Sequence, residues 1–88
     1  MGSELTSLRN IGKTLEAKLK SVGIMTTEEL MTVGSEEAFV RLKLRYPDTK
    51  GMSLVHLYAI EGAILDVEFN HLPEDVKQRL KDFCNNLR

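Results

Sequence analysis

The stretch "LRNIGKTLEAKLKSVGIMTTEEL", Leu8 to Leu30, places one glycine after each of two apolar-periodic segments, and its punctuation decides the fold. From Lys13 to Val22 the apolar positions Leu15, Leu19 and Val22 stand four and three apart, the spacing of one buried helical face. Gly23 stops that helix: as the left-handed residue past its end, it lets Ile24 fold back on Leu19. Thr26 and Glu29 then form the S/T-x-x-E pattern, in which each side chain accepts from the other's backbone N–H, so a new helix starts there and runs to Gly34.

Reading outward, Ser3 caps a first short helix over about residues 4–9, with Leu5 and Leu8 inward. Asn10-Ile11-Gly12 breaks it, Gly12 supplying the positive φ that other residues resist. Ser35 caps a further helix over about residues 36–45, and Pro47 pushes Tyr46 out of the helical region. "PDTKG" is a loop. The following segment, "MSLVHLYAIEGAILDVEF", is apolar nearly all the way round, as a central helix packed on several sides must be. "NHLP" ends it, and Pro73, Glu74 and Asp75 suit the first turn of a last helix with the stripe Val76, Leu80, Phe83 and Leu87. No stretch alternates long enough for a strand, so the fold class is all-α: a compact bundle of five or six short helices in a single domain over residues 1–88.

The 88 residues are 42% apolar and 28% charged, with a formal net charge of −1. A dedicated nucleic-acid domain would be markedly basic, so any basic footprint here is local. A chain this small buries a modest fraction of its surface, which makes a homodimer a natural supplement. One cysteine, Cys84, excludes an internal disulfide; with no apolar leader at the start, it points to the cytoplasm. The long apolar segment is too interrupted by charge to span a membrane.

The segment Leu8–Leu30 resembles a helix-hairpin-helix unit through Leu8, Ile11, Gly12, Ala17, Leu19, Gly23, Ile24, Thr26, Glu28, Glu29 and Leu30. With "LYAIEGAI" at Leu57–Ile64 added, about residues 4–85 resemble the C-terminal domain of the TfoX/Sxy competence regulators. That resemblance implies a bacterial, non-catalytic regulatory module, one that in longer members follows a further N-terminal domain and helps switch on DNA-uptake genes. Asn10 stands where a hairpin of the G-h-G type has its first glycine.

The first reading of the corner is a regulatory module that contacts DNA backbone or the transcription machinery; the alternative is binding of a regulatory protein or of a second copy, with no nucleic acid. In a DNA-binding hairpin, the amides at the glycine turn and the next helix start face a phosphate together. Here those would be the amides of Ile11, Gly12, Lys13 and Thr14, with Arg9, Lys18 and Lys20 nearby and Glu16 the only acid over residues 9–20. A second basic run, Arg41, Lys43, Arg45 and Lys50 against Asp48, could share that face, but Glu28, Glu29, Glu36 and Glu37 lie between them. Such contacts would hold double-stranded DNA weakly and without sequence preference. In the other reading the glycines are helix stops, the lysines are solvated, and the chain is a protein-interaction or homodimerisation module that could use Met25, Met31 and Met52.

Glu61, inside the apolar segment, needs a partner if it is buried; the expected donors are a neighbouring helix start or Arg9. His56, His71 and Cys84 have no metal-ligand spacing, and neither a Ser/His/Asp arrangement nor a glycine-rich nucleotide loop is present. The sequence therefore predicts no enzyme, no cofactor and no metal, with His56 a packed side chain and Cys84 a small hydrophobe.

Overall fold

The Gly23 stop and the Thr26–Glu29 cap act as their sequence requires. A helix, α1, spans Lys13–Ser21 and ends in a Schellman turn: Gly23, at φ +88°, lets the Ile24 amide donate to the Leu19 carbonyl at 3.0 Å and its own amide donate to Lys20 at 3.1 Å. The next, α2, spans Thr27–Val33 behind a complete capping box, the Thr26 hydroxyl accepting from the Glu29 amide at 3.1 Å and the Glu29 carboxylate accepting from the Thr26 amide at 3.2 Å. The same carboxylate also takes the Met25 amide.

The computed structural model describes residues 4–47 and 54–86. After α2 come α3 (Ser35–Arg45), α4 (Leu54–Leu65) and α5 (Glu74–Asn85), with 3-10 turns at Leu5–Ser7 and Phe69–His71 and no strand among the described residues. The Ser3 cap, Lys50, Met52, Leu87 and all of the PDTKG loop except Pro47 fall outside them.

Four local expectations change. The first helix is only the single 3-10 turn Leu5–Ser7, although Leu5 is fully buried as expected. Gly12 is extended, at φ −95° and ψ −175°; the left-handed residue of the corner is Asn10, at φ +73°. Ser35 does not cap α3 but lies inside it, because Gly34 at φ +87° and ψ +160° closes α2 and opens α3 in one residue. That conformation is essentially restricted to glycine, and it turns the chain without a loop. Finally, the central helix stops at Leu65: Asp66 adopts φ +60° and the Val67 amide reaches back to the Gly62 carbonyl at 2.8 Å.

The apolar circumference of α4 has a direct cause. Its Ala59, Ile60 and Ala63 pack with Leu5, Leu19, Ile24, Leu30 and Leu42 in one cluster, whereas Leu57 joins Phe39, Leu72 and Leu80 in a second. Val76, Phe83 and Cys84 close over the second cluster from α5, so Cys84 does serve as a small hydrophobe. One helix thus serves two cores.

Glu61 lies on the same helix and is buried, 8% exposed. A neighbouring helix start does meet it, but through a side chain: the Ser35 hydroxyl donates to one carboxylate oxygen at 2.5 Å. Arg9 does not. The cation is Arg79 of α5, whose Nη2 donates to the other oxygen at 2.9 Å, while its Nε lies 3.6 Å from Glu36. A carboxylate in apolar surroundings is tolerated when both its oxygens have donors, and here those donors fasten α3 and α5 onto α4.

The corner is fastened to the far end of the same helix. The Asn10 side-chain amide donates to the carbonyl oxygens of Val67 at 2.9 Å and Ala59 at 3.4 Å, and its oxygen accepts from the Phe69 amide at 3.3 Å. This requires Gly62, because a Cβ there would fall 2.5 Å from Asn10 Nδ2 and closer still to the Val67 carbonyl oxygen. Backbone lies on one side of that space and cannot swing away.

Gly62→Ala is therefore expected to destabilise the chain by about 1–3 kcal/mol, the usual range for overpacking, and to remain destabilising in an Asn10→Ala background. Chemical denaturation measures it, and an unchanged midpoint would refute the close approach. For the buried carboxylate, a double-mutant cycle of Glu61→Ala and Arg79→Ala should give a coupling of about 1 kcal/mol, kept small by the half-exposed guanidinium. Strict additivity would show that the pair is geometric only.

Candidate functional site at the hairpin corner

Asn10, Ile11 and Gly12 turn the chain into α1, and the structure places the sequence-predicted residues around that turn unequally. Ile11 is buried, with its amide 3.4 Å from the Leu8 carbonyl, so it faces inward. Arg9 is held by acids, its Nε 3.3 Å from Asp66 and its Nη1 3.8 Å from Glu68. Lys20 pairs with Glu16 one turn back, at 3.8 Å. Gly12, Lys13 and Thr14 are exposed at the start of α1, where no side chain caps the helix.

Those residues open into a cleft of about 400 Å³ between the starts of α1 and α4. Lys13 and Lys18 line it from α1, and Val55 and His56 from α4; Asn10 and Phe69 close one end, with Leu15 and Ala59 also in the lining. Val55 is 52% and Phe69 39% exposed, so apolar surface meets water here. Sequence spacing had no means of pairing Val55 and Phe69 with the hairpin, because each reaches it across more than forty residues through tertiary packing.

The second basic run meets the first at one ring. Lys18 Nζ lies 5.3 Å and Arg45 Cζ 5.1 Å from the centroid of Tyr46, and the Tyr46 hydroxyl is 3.0 Å from the Ser21 hydroxyl. Arg41 turns away, 3.1 Å from Glu37, and Lys43 lies over Phe39. The four acids expected between the runs line other depressions: Glu36 and Glu37, together with Glu61, a cleft of about 590 Å³ at the start of α3, and Glu28 and Glu29 a third cleft beside Gly23.

His56 is the titrating group of the corner cleft. Burial, and secondarily the charge of Lys18, hold its imidazole below the ordinary value of 6.5. Among the described residues no three His, Cys, Asp or Glu side chains come together as a metal site, and no helix is long and apolar enough to cross a membrane.

A depressed imidazole means the folded chain binds fewer protons than the unfolded one below pH about 6.5, so stability rises with pH through that window. The His56 contribution should be complete above 6.5 and lost as pH falls towards the folded-state value. NMR titration of the His56 ring should give a midpoint below 6.5 that moves up, without reaching 6.5, in Lys18→Ala; a wild-type midpoint at or above 6.5 would contradict the burial.

The whole chain has relatives of the same shape. A structure described as an uncharacterized protein from Listeria monocytogenes is 42% identical, with 94% of this chain and 91% of that one covered and a TM-score of 0.87. A second, described as a protein of unknown function from Listeria monocytogenes, is 40% identical, with 96% and 99% covered and a TM-score of 0.84. No curated protein matches. The family described as TfoX C-terminal domain matches residues 1–84, and the chain belongs to that family.

Proposed function

We propose that the chain is a non-catalytic regulatory module that docks a protein partner through the cleft at the hairpin corner. The observation that carries this reading is the composition of the cleft: exposed apolar walls from Val55 and Phe69 beneath two lysines, with no carboxylate among the described lining residues. Convergent apolar and polar groups in a concavity are the usual signature of a recognition site. Membership of a family whose resemblance implies regulation supplies the role.

Contact with a duplex backbone is the second reading, favoured by Lys13 at the uncapped start of α1 and by Lys18 and Arg45 at the Tyr46 ring. It is the weaker one because Arg9 and Lys20 already have carboxylate partners and the Ile11 amide already donates to the Leu8 carbonyl. Two or three phosphates give a salt slope of only about −2 to −3, and the apolar walls would have nothing to cover.

A photo-crosslinking residue at Val55 or Phe69, in bacteria expressing the chain, should trap one discrete protein that is not trapped from Leu44, which is 78% exposed and outside the cleft. Equal products from all three positions would refute the cleft as the docking surface, and a product of the chain with itself would replace docking by self-association. Labelled duplex DNA at about 50 and 200 mM salt should bind no more tightly than about 10⁻⁴ M at the higher salt. Micromolar binding abolished by a Lys13→Glu, Lys18→Glu double variant would install the backbone reading instead.

A further inference from the structure

The three clefts differ in sign. Two are lined by glutamates, Glu36, Glu37 and Glu61 in one and Glu28 and Glu29 in the other, each with one arginine. The corner cleft has Lys13 and Lys18 and no carboxylate among the described residues, in a chain whose formal net charge is −1. Asp66 and Glu68, next to the lining residue Phe69 in sequence, pair with Arg9, and Glu16 pairs with Lys20. A positive, apolar concavity on an otherwise acidic protein selects its ligand by both properties together.

Resting on the docking reading above, we infer that the occupant of the corner cleft is a short acidic peptide segment in which aspartate or glutamate alternates with leucine or phenylalanine. Its apolar side chains cover Val55 and Phe69, and its carboxylates meet Lys13 and Lys18, the latter a lining residue whose ammonium also lies over Tyr46. A free anion would leave the two apolar walls in water, and an uncharged apolar ligand would desolvate two ammonium groups without replacing their water. Only a ligand carrying both kinds of group satisfies the cleft. The volume of about 400 Å³ holds one or two large side chains, which suits a short linear segment.

The test is an NMR titration of the full chain with three peptides of equal length: one alternating aspartate with leucine and phenylalanine, one with serine in place of the apolar residues, and one with lysine in place of aspartate. The first should shift the amides of Lys13, Thr14, Lys18, Val55 and His56 and bind at least about tenfold tighter than either control, a difference of about 1.4 kcal/mol. The Lys13→Glu, Lys18→Glu variant should lose that preference and take the lysine peptide. Lys13 is exposed at the start of α1, where a glutamate is compatible with folding, whereas Lys18 is half-buried in the last turn, so the amide spectrum of the variant is compared with that of the parent chain to verify its fold. Equal binding of the serine peptide would overturn the inference by showing charge alone at work, as would shifts centred on another cleft or no binding. If the Val55 crosslink persists while the peptide does not bind, the docking reading stands and this assignment of the ligand falls. Peptide binding without a crosslink has the reverse meaning.

Discussion

Everything at the hairpin corner depends on the side-chain amide of Asn10. The residue takes a left-handed conformation that asparagine tolerates better than most side chains, and it then uses both its donor and its acceptor on backbone groups beyond the end of α4. These bonds join residues more than fifty apart in sequence. Glycine at the same position would allow the turn but could not tie it down. The approach also needs the missing Cβ of Gly62, so the corner is set by two residues, one supplying a side chain and the other giving up its own.

The same helix carries the second fastening. At Glu61, α4 holds Ser35 of α3 and Arg79 of α5 on a single carboxylate, while α3 and α4 each contribute to both apolar clusters. Apolar packing is non-directional and would tolerate rotation of α5 about its own axis, whereas a carboxylate with one donor on each oxygen defines an angle. Asn10 and Glu61 therefore fix the hairpin corner and the helices α3 and α5, respectively, relative to α4. The corner cleft is one product of that placement, since its walls come from α1, α4 and the 3-10 turn at Phe69–His71.

What the sequence made legible was local. The Schellman stop at Gly23, the Thr26–Glu29 capping box and the apolar stripes of α1 and α5 involve residues within a few positions of one another, and each appears as its pattern requires. What escaped was long-range. Asn10 reads as a departure from a glycine turn until Val67 and Phe69 are brought beside it, and Gly62 reads as one small residue in an apolar run. Ser35 looks like a cap because serine before a helix usually is one, yet Gly34 already performs the turn and frees the hydroxyl for Glu61. Arg79 could not be chosen over Arg9 from spacing, because either could reach Glu61 until α5 is placed.

The asparagine also bears on how the corner could recognise a ligand. A hairpin with glycine at its first position lets a phosphate approach bare backbone, and positive side chains around it add attraction. Here the amide latch draws residues 66–69 against the turn, which brings Asp66 and Glu68 within reach of Arg9 and places two carboxylates beside one surface cation. It also carries Phe69 to the edge of the opening beside α1. One substitution in the motif thus exchanges part of an electrostatic footprint for apolar wall, and the resulting surface is better matched to a folded or peptidic partner than to a bare phosphate backbone.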